Sequence, residues 1–314
     1  MHDDLRPGTA IVFPGMGPSR FEDVARFMLI NPFARRLVAE ADEVLGYSLV
    51  DRFEEAEGDY TEYAQVAFLV NCLALAQWGE SELGVGPAYC VGPSFGGKAA
   101  AVYSGALPFR SAVSMTARWA RVLEDYFTLE HRDVVTHSFA RTGGDRLAGI
   151  LADLDERGEW YDISCYVDHD FHMVSLREGM LDWLQERLRA LGGLPLYTMR
   201  PPMHSSAFRP LRDRVAREIL DGVDFADPVV PIVADQDARL VTSGAGVREM
   251  LLDGFVEPVR WPAVVAELMR LGVGKLYVSG PDALFGRVAC TTENFEVVAI
   301  TPRTALRPRR RVAV

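Results

Sequence analysis

Residues 88–98, Ala-Tyr-Cys-Val-Gly-Pro-Ser-Phe-Gly-Gly-Lys, constrain this chain more than any other stretch. Tyr89, Cys90 and Val91 read as the end of a buried strand, and the small residues at 99–101 open a helix. Between them, Gly92-Pro93-Ser94-Phe95-Gly96 fits the pattern G-x-S-x-G. A serine on so tight a strand-to-helix turn has its hydroxyl thrust out of the sheet, and flanking glycines let the backbone crowd around it. The helix that follows turns N–H groups and its positive dipole end toward a carbonyl held there. Gly and Ser are common residues, and the pattern alone admits a purely structural turn. Strand, turn and helix in that order make Ser94 a candidate nucleophile.

At 314 residues the chain has material for one large or two modest cores. Apolar residues make up 49% and charged ones 25%, an ordinary globular balance. No apolar run is long enough to span a membrane, and the N-terminus lacks the apolar centre of a secretory signal, so a cytoplasmic location is expected. Cys72, Cys90, Cys165 and Cys290 are scattered without metal or redox spacing, and read as reduced thiols. A formal net charge of −11 argues against nucleic-acid binding. The basic tail, Arg307, Arg309, Arg310 and Arg311, is the exception, either solvated or in contact with an acidic partner.

Residues 9–13 predict a strand that stops at Pro14-Gly15-Met16-Gly17-Pro18, a bent loop where open α/β sheets keep their crevices. Helical patterning covers about 21–45, then 61–83, where Gln65 sits among apolar neighbours, and 108–129, which carries Arg118, Trp119 and Arg121. The texture then changes. Strands at 134–140, 160–167, 172–176 and 194–199, with helices at 144–157 and 178–191, give the order β-α-β-β-α-β of a ferredoxin-like unit. Its turn, Asp168-His169-Asp170-Phe171-His172, reads as a hairpin tip and not a metal site, because alternation sends its side chains to opposite faces. The main unit resumes at Arg200-Pro201-Pro202-Met203-His204, with a strand at 229–234, helices at 245–255 and 261–271, and a strand at 276–278. The expected architecture is a large α/β-hydrolase-like domain with a parallel-sheet core (1–130 and 199–314), with a ferredoxin-like subdomain (131–198) inserted into it.

Taken together these residues resemble the malonyl-CoA:acyl carrier protein transacylases and the acyltransferases of polyketide synthases, over nearly the whole chain. Phe13-Pro14-Gly15-Met16-Gly17 stands for the family's F-P-G-Q-G, Gln65 for its T-Q-x-A, and residues 92–97 for G-H-S-x-G-E. His204-Ser205 matches the catalytic histidine motif, residues 258–261 the late N-P-V-x-W, and residues 276–281 the L-Y-E-V-G-P segment. The resemblance implies a ping-pong acyl transfer in which Ser94 attacks a thioester while His204 takes its proton. It implies an oxyanion hole from the backbone N–H groups of Met16 and Phe95, and a main-chain carbonyl near Gly254 that orients His204. It also implies phosphopantetheine thioesters on acyl carrier proteins (or CoA) as substrates, with no bound cofactor or metal. Carrier proteins are acidic, so Lys98, Arg200, Arg209 and the C-terminal arginines are candidate docking residues.

The departures bear on the acyl pocket, expected to include Gln65, Pro93, Trp119, Pro202 and Met203. Alignment puts Trp119 where malonyl transferases keep an arginine for the substrate carboxylate, with Arg118 one residue and about 100° away. A buried carboxylate without that partner is costly, whereas an indole offers an apolar wall. Pro93 and Gly97 replace the family's histidine and glutamate. The expected function is therefore transfer of a non-carboxylated acyl group, aminoacyl or dipeptidyl, between carrier proteins in polyketide or macrolactam assembly. The alternatives are malonyl transfer, with Arg118 restored to the pocket by a one-residue shift, an editing thioesterase, and an inactive carrier-binding scaffold.

Overall fold

A computed structural model describes residues 6–18, 20–282 and 284–307. Arg309, Arg310 and Arg311 lie outside these residues. Among the described residues eleven strands sort into two sheets. The larger is built from β1 (Arg6–Val12), β2 (Pro87–Val91), β7 (Ile232–Val233), β8 (Leu240–Val241), β10 (Lys275–Ser279) and β11 (Glu296–Ile300). The smaller contains β3 (Val134–Ala140), β4 (Tyr161–Tyr166), β5 (His172–Arg177), β6 (Leu194–Met199) and β9 (Val259–Arg260).

The large sheet runs β11-β10-β1-β2-β7-β8, parallel except for β8. Register sets the site. Val12 stands beside Val91 and Val91 beside Val233, so three strands end at one edge. The loop after β1, the Ser94 turn after β2 and Asp235 after β7 therefore meet at the carboxyl ends of parallel strands. Behind the sheet runs the helix Glu62–Leu83, capped by the Thr61 hydroxyl and by a left-handed Gly84. It is buried on nearly every face, as expected of a helix whose sequence is apolar all round.

The helical patterning at 21–45 resolves into two helices, Phe21–Ile30 and Pro32–Leu45. Asn31 causes the break: its side chain accepts from the N–H groups of Phe33 and Ala34, while Pro32 has no N–H to continue the first helix. The hairpin partner β8, the edge strand β11 and the helices Leu49–Glu55 and Arg209–Glu218 were not anticipated from the sequence.

The small sheet runs β6-β3-β5-β4, antiparallel, with helices Gly144–Glu156 and Leu181–Ala190 in the connections. That is the ferredoxin-like arrangement. A fifth strand joins it from the far side of the chain: β9 pairs in parallel with β4 through Cys165 and Val259. Residues 167–171 connect β4 to β5, which opens at His172, and among the described residues no cluster of metal-ligating side chains occurs.

Candidate active site

The Ser94 turn is sterically closed around its backbone. A Cβ on Gly92 would lie 2.2 Å from Gly96, and one on Gly96 would lie 2.0 Å from the Phe13 carbonyl oxygen. Neither position admits a side chain. Ser94 itself adopts a left-handed φ of 54°, a conformation that costs a non-glycine residue about 1–3 kcal/mol. The helix Gly96–Tyr103 begins two residues later, and the loop after β1 passes close by, with a Cβ on Gly15 reaching within 3.5 Å of Ser94 Cβ. Met16, next in that loop, lines the pocket with Phe95.

His204 arrives from the segment after β6. Its Nε2 stands 2.8 Å from Ser94 Oγ. Like Ser94 it has a left-handed φ, of 60°, and the residues after it are tied down on both sides. The Ser205 N–H donates to the Phe255 carbonyl, and the Asp162 carboxylate on β4 accepts from both the Ser205 and Ser206 hydroxyls and from the Ser206 N–H. Burial pushes the ring down to about 4, so it is neutral at physiological pH and can accept the serine proton.

The carbonyl expected at Gly254 is not hydrogen-bonded to His204. The chain continues to turn through residues 253–257 after the helix Gly244–Asp253, and the backbone of Glu257 is the main-chain group that favours the protonated ring. Nδ1 itself has no partner within hydrogen-bonding geometry among the described residues. Gly254 lines the pocket instead.

The pocket beside Ser94 contains Gln65, Trp119 and Met203, as expected, and also Tyr60, Pro201, Asp235 and Gln236. Gln65 is held by a bond from its Nε2 to the Tyr60 carbonyl, 2.8 Å. Trp119 turns inward, 5% exposed, and stacks on Phe255 with ring centroids 4.8 Å apart. Arg118 points elsewhere, its guanidinium donating to the Glu218 carbonyl. Pro93 is buried within the nucleophile turn and does not line the pocket. Pro202 is displaced by one residue into an adjoining groove, because the chain bends at Pro201, which lies between the two spaces.

The largest correction concerns Lys98. It is 4% exposed and cannot receive a docked protein. One helical turn beyond Ser94, its side chain runs into the pocket, with Nζ 4.5 Å from the centroids of both Phe95 and Trp119. Burial lowers it to about 7, and it has no ion-pair partner among the described residues. The pocket is thus less apolar than Trp119 alone suggests. Arg200, paired with Glu178, and Arg209 are exposed, as is Arg307.

Asp235 was missed by sequence reasoning, although its place just after a predicted strand of the parallel sheet was a usable signal. Its carboxylate accepts from the Ser94 N–H at 2.7 Å and is buried, which pushes it up to about 7.

A family model described as the VinK acyltransferase small domain matches residues 138–199. The malonyl CoA-acyl carrier protein transacylase of Bacillus subtilis strain 168 is 26% identical over 317 residues, covering 95% of this chain and 92% of the relative. That of Escherichia coli K12 is 27% identical over 280 residues, covering 87% and 88%. The chain is similar to these transacylases over most of its length. Among solved structures, the chain superposes on a malonyl-transacylase in complex with a type II PKS acyl-carrier protein with a TM-score of 0.83, at 22% identity and covering 95% of this chain and 98% of that one. FabD from Acinetobacter baumannii gives 0.84 at 19% identity, covering 95% and 96%. These likenesses carry the fold: a parallel-sheet core with a ferredoxin-like subdomain. Among the described residues no helix is long and apolar enough to cross a membrane.

Proposed function

We propose that this protein is an acyltransferase that moves an acyl group between phosphopantetheine thioesters of carrier proteins through an ester on Ser94. The single observation that carries the reading is the 2.8 Å contact between Ser94 Oγ and a neutral, buried His204 at the carboxyl ends of the parallel strands. His204 Nε2 takes the hydroxyl proton as Ser94 Oγ bonds to the thioester carbonyl carbon. The N–H groups of Phe95 and Met16 receive the oxyanion. On collapse the C–S bond breaks and the proton passes to the departing thiolate. A second thiol then attacks the ester, gives its proton to His204, and leaves with the acyl group as Ser94 Oγ regains a proton.

The groove that holds Pro202 adjoins the pocket past Tyr60, Gln65, Leu123 and Pro201, and its outer lining includes Arg132 and Arg200. This favours entry of the pantetheine arm from that side, with the acidic carrier against Arg200. Arg209 and Arg307 remain further candidates for that contact. The acyl group is proposed to carry no free carboxylate, as in aminoacyl or dipeptidyl transfer in a polyketide or macrolactam pathway of the cytoplasm. The inward Trp119 and the outward Arg118 support this. A second reading, transfer of a malonyl-type group, is favoured by one observation, the cationic side chain of Lys98 in the pocket.

Intact-mass measurement after incubation with a panel of carboxylated and neutral thioesters tests both readings. A covalent adduct that is lost in Ser94→Ala is expected, and its mass identifies the preferred class. Efficient malonyl loading would overturn the non-carboxylated reading, and no adduct with any thioester would overturn acyl transfer. Accelerated loss of the adduct on adding a holo-carrier protein separates transfer from hydrolysis.

A further inference from the structure

Lys98 occupies a position that ordinary folding energetics does not reward. A lysine placed on a helix for solubility extends into water, whereas this one is 4% exposed and enclosed by two aromatic faces. The rings of Phe95 and Trp119 stabilise a cation from two sides, but neither offers a lone pair to its N–H donors. Hydrogen-bonding capacity is left over, and it lines the same pocket as Ser94. An acceptor on a ligand in the pocket can take these donors in place of water.

The opposite group in the pocket narrows what that ligand can be. Asp235 lines it as well, held at the Ser94 N–H and forming no ion pair with Lys98. With both groups ionised, or both neutral, the lining carries no net charge. In those two states a cargo with a full negative charge adds an unbalanced buried charge, whereas an uncharged polar cargo adds none in any state. Lys98 lies one helical turn past the nucleophile, and its donor shares the pocket lining with Ser94 and Trp119.

We propose that Lys98 is a specificity-determining residue of the acyl pocket, where its side-chain amine donates a hydrogen bond to an acceptor oxygen on the acyl chain, distal to the thioester. The oxygen that fits the charge balance best is uncharged, as in an amide. This rests on the acyl-serine reading above and adds to it the polar feature by which cargo is selected. It also assigns Trp119 a second task, holding the amine in place through its ring face.

The test compares loading of Ser94 from three pantetheine thioesters of equal chain length: an unbranched alkanoyl group, an N-acetylaminoacyl group and a dicarboxylic half-thioester. Second-order loading rates are read by intact mass for wild type, Lys98→Met and Lys98→Arg. The expected result is that wild type prefers the amide-bearing group over the alkanoyl group by about tenfold, the worth of one charge-assisted hydrogen bond. In Lys98→Met that ratio falls to about one, and in Lys98→Arg, which keeps the donor, it is partly restored. Equal ratios in wild type and Lys98→Met would overturn the inference even if Ser94 is acylated normally. A preference for the half-thioester that disappears in Lys98→Met would keep Lys98 as the selecting residue but overturn the uncharged cargo. Absence of acylation by all three groups would instead strike at the acyl-serine reading itself.

Discussion

Replacing Asp235 with asparagine isolates the energetic consequence of burying an acid against the nucleophile. Asparagine keeps the shape and an acceptor oxygen for the Ser94 N–H, and removes only the ionisation. In the folded protein the carboxyl is pushed from 3.8 up to about 7, chiefly by desolvation. The folded state therefore holds its proton more tightly than the unfolded chain. The stability this confers is fully present below about pH 4 and is lost as pH rises through 7. The difference of 7 − 3.8 pH units, at about 1.36 kcal/mol each, amounts to about 4 kcal/mol. Asp235→Asn should thus match wild type near pH 4 and exceed it by up to about 4 kcal/mol at pH 8. Groups common to both proteins, Lys98 and His204 among them, cancel in the difference unless they couple to Asp235. Urea unfolding of both proteins at pH 4, 5, 6, 7 and 8 provides the measurement. A stability difference that stays constant across this range, or grows toward acid, would refute the reasoning.

Two further outcomes follow from the same geometry. Because burial holds His204 near 4, its acid limb in Ser94 loading should lie well below that of an ordinary histidine near 6.5, with His204→Ala lowering the rate by a hundredfold or more; stopped-flow loading against pH shows an ordinary limb near 6.5 if the ring is in fact solvated. Charge reversal at Arg200 should slow transfer from a holo-carrier protein several-fold at low salt, and much less at high salt, while leaving loading from a small thioester alone; equal slowing with both donors would remove Arg200 from the docking surface.

The nucleophile turn was legible because its requirements are chemical and local. Gly92 and Gly96 are spaced around Ser94 as the closed turn demands, and nothing else in the chain imitates that context. The ferredoxin-like order was equally readable, since strand-like and helical segments alternate across residues 134–199. What failed was direction. Lys98 reads as a surface lysine next to the site, and only the rotation of the helix Gly96–Tyr103 against Trp119 reveals that it points inward. The family resemblance places Pro93 and Pro202 in the pocket, yet one is locked in the turn and the other lies one residue past the bend. Asp235 belongs to no motif, and its place just after a strand of the parallel sheet was its one usable signal. The left-handed backbone of His204 has no sequence signal, since it depends on anchors at Asp162 and Phe255 that are distant in the chain.

The strand β9 is chemically part of one sheet and covalently part of the other unit. Val259 completes the edge of β4, while the N–H of Arg260 donates to the Asp235 carbonyl, on the residue whose side chain steadies Ser94. Anyone exchanging the insert for that of a relative by cutting at its two obvious junctions would strand this edge without its neighbour and loosen the acid behind the nucleophile. The functional module is consequently discontinuous: a workable chimera has to carry residues 259–260 along with the segment that they clasp.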